Sequence, residues 1–180
     1  TSTLQSVLTA LMGQWRTETR LYRIESSDPS RPLPGELMVE SLVRVDELSQ
    51  PFWMQVNCLS LNAHIELKAF FAQPLTLITR LADDSEHRIS GYVVDAIAYG
   101  GDGALARFGL VIRPWIALPR HTLDSNGWEQ KSVIELVEAI FADHPTIAAW
   151  AWDDDVPEYV RNGLFARNGG QRSYSVQYQE

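Results

Sequence analysis

Residues 87–118 read HRISGYVVDAIAYGGDGALARFGLVIRPWIAL. Two long apolar-rich runs flank Gly100-Gly101-Asp102-Gly103. Glycine enters the positive-φ region without steric cost, so three glycines around one Asp are turn chemistry. The flanking runs are rich in Val, Ile, Tyr and Phe, which predicts a long antiparallel hairpin. In the second arm Phe108, Leu110 and Ile112 share one face, with Arg107 and Arg113 on the other. That is a strand with a buried side and a wet side. The first arm is apolar on both faces, Ile89, Val93 and Ile97 against Tyr92, Val94 and Ala96, as expected of a strand covered on both sides or of one lining a closed barrel. Pro114 has no N–H to donate and ends regular pairing.

Working back toward the start, residues 75–81 form another strand, and Asp83-Asp84-Ser85 turns the chain into the hairpin. Residues 65–71 predict a short helical turn that stops before Pro74. Residues 52–60 alternate, with Phe52, Met54, Val56 and Cys58 on one face, and 37–48 alternate with Val39, Val43 and Val45 opposing Glu40, Arg44 and Asp46. Gln50-Pro51 separates these two runs. Residues 26–35 hold three prolines and are a loop, and 17–25 form a weakly alternating, edge-like strand. Leu4, Val7, Leu8, Leu11 and Met12 follow the spacing of a helix face, with Thr3 as N-cap and Gly13 as stop. The segment up to about Pro119 is therefore a run of antiparallel strands closed into a barrel.

Beyond Pro119 the composition changes. Residues 120–131 are polar and read as irregular. Ser132 and Glu135 have the spacing of a capping box, and Val133, Leu136, Val137, Ile140 and Phe141 then make a helical stripe ending near His144-Pro145. Asp153-Asp154-Asp155 reads as solvated loop and Asn168-Gly169-Gly170 as a turn. Tyr174, Val176 and Tyr178 share one face of a final strand that runs to Glu180, as expected of a chain cut within a larger protein. The organisation is α+β: residues 1–119 form an antiparallel barrel with an N-terminal helix, and 120–180 a partial α/β segment.

Composition narrows the function. The chain has 180 residues, 45% of them hydrophobic, with a formal net charge of −8. An acidic chain of this kind argues against a nucleic-acid duplex or an anionic membrane as main partner. No run approaches the roughly 20 apolar residues of a membrane-spanning helix, and residues 4–12 lack the basic leader of a signal peptide. The single cysteine, Cys58, excludes an internal disulfide and a cysteine-rich zinc site. None of the four histidines, His64, His87, His121 and His144, stands at metal-ligand spacing from another or from Cys58. Three aspartates in a row do not match the alternating ligands of a calcium loop. Gly101-Asp102-Gly103 joins two strands, whereas a phosphate loop joins a strand to a helix. Asp95, in an apolar strand, calls for a partner such as Arg107 or Lys68. With no nucleophile–base pair, metal cluster or cofactor fingerprint, no enzyme, cofactor or metal is expected. Six tryptophans are many for this length, and some are expected at interfaces.

Four segments together resemble the N-terminal part of the VgrG spike proteins of type VI secretion. They are LVRVDELSQPFWMQVNCLS (42–60), with its Glu-Leu-Ser-x-Pro-Phe link; HIELKAFFAQPLTLI (64–78); HRISGYVVDAIAYGGDG (87–103), running on into LVIRPW (110–115); and WEQKSVIELVEAIFADH (128–144), followed by YSVQYQE (174–180). Ser125-Asn126-Gly127-Trp128 departs from the Arg-Ile-Phe-like run usual there. The resemblance implies a barrel of the phage tail hub type. It implies a homotrimer in the full-length protein, capping the Hcp tube, with needle tip and effectors handled by regions absent here. It also implies synthesis in the bacterial cytoplasm and export by type VI secretion without a cleaved signal peptide, with no bond made or broken. A segment lacking the second barrel is not expected to close a ring. Arg107 and Arg113, on the wet face of the hairpin, are the residues expected at the assembly interface. The competing readings are a baseplate hub of a contractile phage tail and a small-molecule-binding β-barrel. The large inward Phe52, Met54, Phe108 and Ile112 argue for a filled barrel over a ligand cavity.

Overall fold

A computed structural model describes residues 20–101, 103, 105–119, 123–162 and 170–178. The helix expected over 4–12, Trp15, Asp102, His121 and the Asn168-Gly169 part of the last turn lie outside the described residues. The chain divides into two compact units, one ending at Pro114 and the other starting at Trp115.

The first unit contains six strands: β1 (Tyr22–Ser26), β2 (Met38–Val45), β3 (Trp53–Ser60), β4 (Pro74–Arg80), β5 (Glu86–Gly101) and β6 (Ala106–Arg113). All pairings are antiparallel, in the order β1-β4-β5-β6-β3-β2. The predicted hairpin is β5–β6, and Gly100 and Gly103 at its tip have φ of 89° and 90°. β5 is shared along its length. Its first part, 86–92, pairs with β4, and 92–101 pairs with β6. The edge strand expected near residue 25 is β1. The sheet curls into a half-barrel, and where its two edge strands approach, Arg20 Nη1 donates to the Val39 carbonyl at 3.1 Å.

The concave side is filled. Ile24, Val39, Met54, Val56, Cys58, Leu75, Leu77, Val93, Phe108, Leu110 and Ile112 all join one buried cluster. The predicted helical turn, a 3-10 turn at Leu67–Phe70, drops Phe70 into this space with its ring centroid 5.9 Å from that of Phe108. Met54, Phe108 and Ile112 point inward as expected, and Phe52 packs partly against the same cluster.

Two expectations of period fail, and β-bulges are the reason. A bulge inserts one residue opposite a continuous partner and flips the phase of everything beyond it. In β2 the register shifts between Val39 and Ser41. Val39 is buried, but Leu42 then faces the core and Val43 is 57% exposed. In β5 it shifts between Val93 and Asp95, so Val93 and Ala96 face the core and Ile97 is 43% exposed. The two-sided apolar pattern of β5 is thus one inward face that changes parity at Val94.

The second unit holds β7 (Ser125–Ser132) and β8 (Gln171–Tyr178), which pair antiparallel, with helices α1 (Val133–Ala142) and α2 (Val156–Asn162) between them. The capping box is present: Ser132 Oγ accepts from the Glu135 amide, and Glu135 accepts from the Ser132 amide. Phe141 of α1 stacks edge-on against both Trp115 and Trp150, with centroids 4.7 and 5.0 Å away. Residues 125–131, expected to be irregular, are strand. Their sequence has no apolar alternation because the ribbon they form with β8 has no fully buried residue; backbone pairing makes the strand. The aspartate run is loop, as expected, but it leads directly into α2, which the sequence reading does not anticipate.

Candidate assembly interface

The convex side of the half-barrel has two differently finished halves. Over β1, β4 and the first part of β5, charges form a closed network. Arg23 pairs with Glu86 at 2.5 Å, and Arg88 with Glu25 at 2.6 Å and with Glu86 at 3.0 Å. Ile78 stands between Arg23 and Arg88 in the register and is 1% exposed, an apolar side chain roofed by ion pairs. Beside it a hydroxyl ladder runs from Ser27 through Thr76 to Ser90, at 2.7 and 2.8 Å. Polar groups here satisfy one another and meet water.

Over β2, β3, β6 and the second part of β5 the finish is different. The central strands β3 and β6 pair straight through with no shift in register, and bulges lie on both sides of one row, Val39–Cys58–Phe108–Ala98. The extra residue is Glu40 on β2 and Tyr99 on β5. Both reach over this central pair. Arg107 Nε and Nη2 donate to the two carboxylate oxygens of Glu40, each at 2.7 Å. This guanidinium holds the Glu40 carboxyl below its ordinary range. The Tyr99 ring lies on Gly109, where an added Cβ would stand 2.7 Å from the phenol oxygen and 2.8 Å from a ring carbon. Gln55 donates to Tyr99 Oη at 3.2 Å, and Asn57 donates to Ser41 Oγ at 3.0 Å. The result is an uncharged hydrogen-bonded band bordered by Val43, Val111 and Ile97. A surface patch poor in free charge and carrying Tyr and Arg has the composition of a protein interface.

Arg107 and Arg113 both project from this convex side, but they are not equivalent. Arg107 is engaged by Glu40. Arg113, at the far end of β6 opposite Tyr92, has no hydrogen-bond or ion-pair partner among the described residues. The sequence expectation that Asp95 takes a partner such as Arg107 or Lys68 fails: Arg107 goes to Glu40 and Lys68 to Glu66. Asp95 Oδ1 accepts from the Ala96 amide at 2.8 Å. The bulge at Val94 turns Asp95 to the open side, where it needs no buried partner. Glu40, Tyr99 and Gln55 were not singled out in the sequence, since only the bulges bring them over the central strands.

The remaining candidates stay apart. Cys58 is fully buried beneath this face, and burial, aided by the charge of Glu40, pushes its thiol up to about 12. His64 and His87 are exposed, and His144 is half-buried on α1's C-terminal side. Among the described residues no group of three or more His, Cys, Asp or Glu could hold a metal ion, and no helix is long and apolar enough to cross a membrane.

Comparison with known proteins gives a consistent picture. The profile of the phage tail baseplate hub (GPD) family matches residues 45–180. The chain is 28% identical over 127 residues to the type VI secretion system spike protein VgrG1b of Pseudomonas aeruginosa, covering 70% of this chain and 16% of that protein. It is 27% identical over 126 residues to VgrG1c of the same organism, covering 69% and 17%. The chain thus spans about one sixth of these relatives' length. Among solved structures it superposes with a TM-score of 0.61 and 16% identity on the E. coli c3393 protein, covering 88% of this chain and 39% of that one. That protein is described as a component of the type VI secretion system similar to the bacteriophage T4 tail proteins gp27 and gp5.

Proposed function

The chain belongs to the phage tail baseplate hub family, and from that premise we propose that it is the hub segment of a trimeric type VI secretion spike, the part that caps the Hcp tube. Its role is assembly, with no catalytic step. Residues 1–119 supply the first hub-type barrel and 120–180 part of the α/β segment beside it. Arg107 and Arg113 mark the assembly surface, and the protein leaves the cell through the secretion apparatus. The carrying observation is the similarity to spike proteins over most of this chain. The packed interior supports it, because Met54, Phe70, Phe108 and Ile112 occupy the space a ligand would need. A baseplate hub of a contractile phage tail is the alternative, favoured by the family profile itself.

The test is a chimera in which this chain replaces the matching segment of a functional spike protein, in a strain lacking its own spike. Restored release of the tube protein is expected. A folded, expressed chimera that restores no release overturns the proposal. Assembly of the same chimera into phage tails alone would support the alternative.

A further inference from the structure

We propose that the second unit is an element poised to open, unfolding locally while the six-stranded sheet stays intact, with an aromatic clasp on Phe141 holding it shut. The inference goes beyond the hub reading and does not depend on it. Burial carries it. The buried cluster of the chain ends at Ile112. From Trp115 onward, Ala117 is the only described residue that is buried. No residue of α1, α2, β7 or β8 is buried. Tyr159, Tyr174, Val176 and Tyr178 are each more than half exposed. Each element is also too slight to stand alone. A two-stranded ribbon is marginal in water, and so is an isolated helix shorter than about 12–15 residues. Here α1 has 10 residues and α2 has 7. The β7–β8 ladder passes from Glu129–Tyr174 to Lys131–Arg172 without Gln130, whose φ of 52° is left-handed.

What holds the unit is a set of half-exposed aromatic contacts on α1. Phe141 lies edge-on between Trp115 and Trp150. Trp115 Nε1 donates to the Ala149 carbonyl at 2.7 Å, and Trp152 Nε1 donates to Glu138 Oε1 at 3.0 Å. Together they clip residues 149–152 to α1. Regions with few buried apolar groups and exposed hydrogen bonds open at free energies well below global unfolding. The sheet differs, since Met54, Phe70, Phe108 and Ile112 are wholly enclosed. Opening would free residues 149–152 and bare the α1 stripe of Leu136, Val137, Ile140 and Phe141. The second unit can therefore take another arrangement without disturbing the sheet.

The experiment is amide hydrogen exchange on the 180-residue chain, read by mass spectrometry at pH 7. Amides of α1, β7 and β8 are expected to exchange at least about 100-fold faster than those of β3, β4 and β6, yet slower than an unstructured peptide. Phe141→Ala should speed exchange in α1, β7 and β8 by about tenfold more. It should leave β3, β4 and β6 unchanged, and with them the urea midpoint for labelling of Cys58 in the sheet. Phe141→Leu, which keeps bulk but loses the ring contacts, should fall between wild type and Phe141→Ala. Equal protection of the two units overturns the proposal. So does a Phe141→Ala chain in which the sheet loses protection by the same factor, because the chain would then open as one body. Exchange of the wild-type second unit at the rate of an unstructured peptide, with no effect of Phe141→Ala, overturns it too, since the clasp would hold nothing. None of these failures touches the hub reading, which the chimera tests separately.

Discussion

Arg107 grips Glu40 through two parallel bonds, both 2.7 Å long, across the intervening strand β3. The two residues are 67 positions apart in sequence. The side chains are 51% and 33% exposed, so solvent screens the pair, and a double-mutant cycle on Glu40→Gln and Arg107→Lys should return a coupling of about 0.5–1 kcal/mol. Lysine cannot make the two-point contact, so Arg107→Lys should behave nearly as poorly as Arg107→Ala. The carboxyl of Glu40 is depressed in the folded protein, so this contribution is complete above the ordinary value of 4.5 and is lost as pH falls through the folded-state value. Denaturant melts from pH 7 down to 3 should show the wild type losing its advantage over Glu40→Gln only below about pH 4.5.

Gly109 and Tyr99 should be coupled with the opposite sign. Alanine normally outperforms glycine in a strand. Here the added methyl meets the Tyr99 ring, so Gly109→Ala should destabilise by about 1–2 kcal/mol. Adding Tyr99→Ala should remove most of that cost. If the two effects simply add, the ring does not rest on the glycine.

Ile78 and Val43 both face outward, yet they should respond differently. Ile78 is 1% exposed beneath the Arg23–Glu86–Arg88 network, and its truncation to Ala should cost about 2–3 kcal/mol. Val43, 57% exposed, should tolerate the same change within about 0.5 kcal/mol. Urea midpoints of the two variants decide this.

Cys58 should report unfolding. Its thiol is wholly buried and pushed up to about 12, so a thiol reagent at pH 8 should label it far more slowly than a free cysteine. Labelling should accelerate in step with urea unfolding. Glu40→Gln should change the native rate little, because burial is the larger cause and the Glu40 charge the smaller.

Much of the fold was legible because local chemistry dictates it. The glycine-tipped hairpin, the turn at Asp83–Ser85, the short turn carrying Phe70 and the Ser132 capping box all follow from residues close in sequence. What escaped depends on partners. Strand phase on β2 and β5 reverses at Glu40 and Val94, and nothing in a period-two pattern announces an inserted residue. That is why Val43 and Ile97 were expected on the buried side. β7 exists through its ladder with β8, and α2 is too short to show a stripe. At the candidate surface Arg107 and Arg113 could be placed on the correct side from alternation alone. Glu40 could not, because a clamp spanning three strands is a property of the assembled sheet.

The division of β5 between two neighbours has a consequence during synthesis. The hairpin of β2 and β3 leaves the ribosome with one edge of β3 open, and its mate, β6, follows only after Ala106 is translated. The gap is roughly fifty residues, several seconds at cellular elongation rates of about 5–20 residues per second. β1 waits a comparable interval for β4. The edge of β1 is therefore covered once β4 emerges, whereas that of β3 stays exposed on the nascent chain until β5 has been made and β6 follows it.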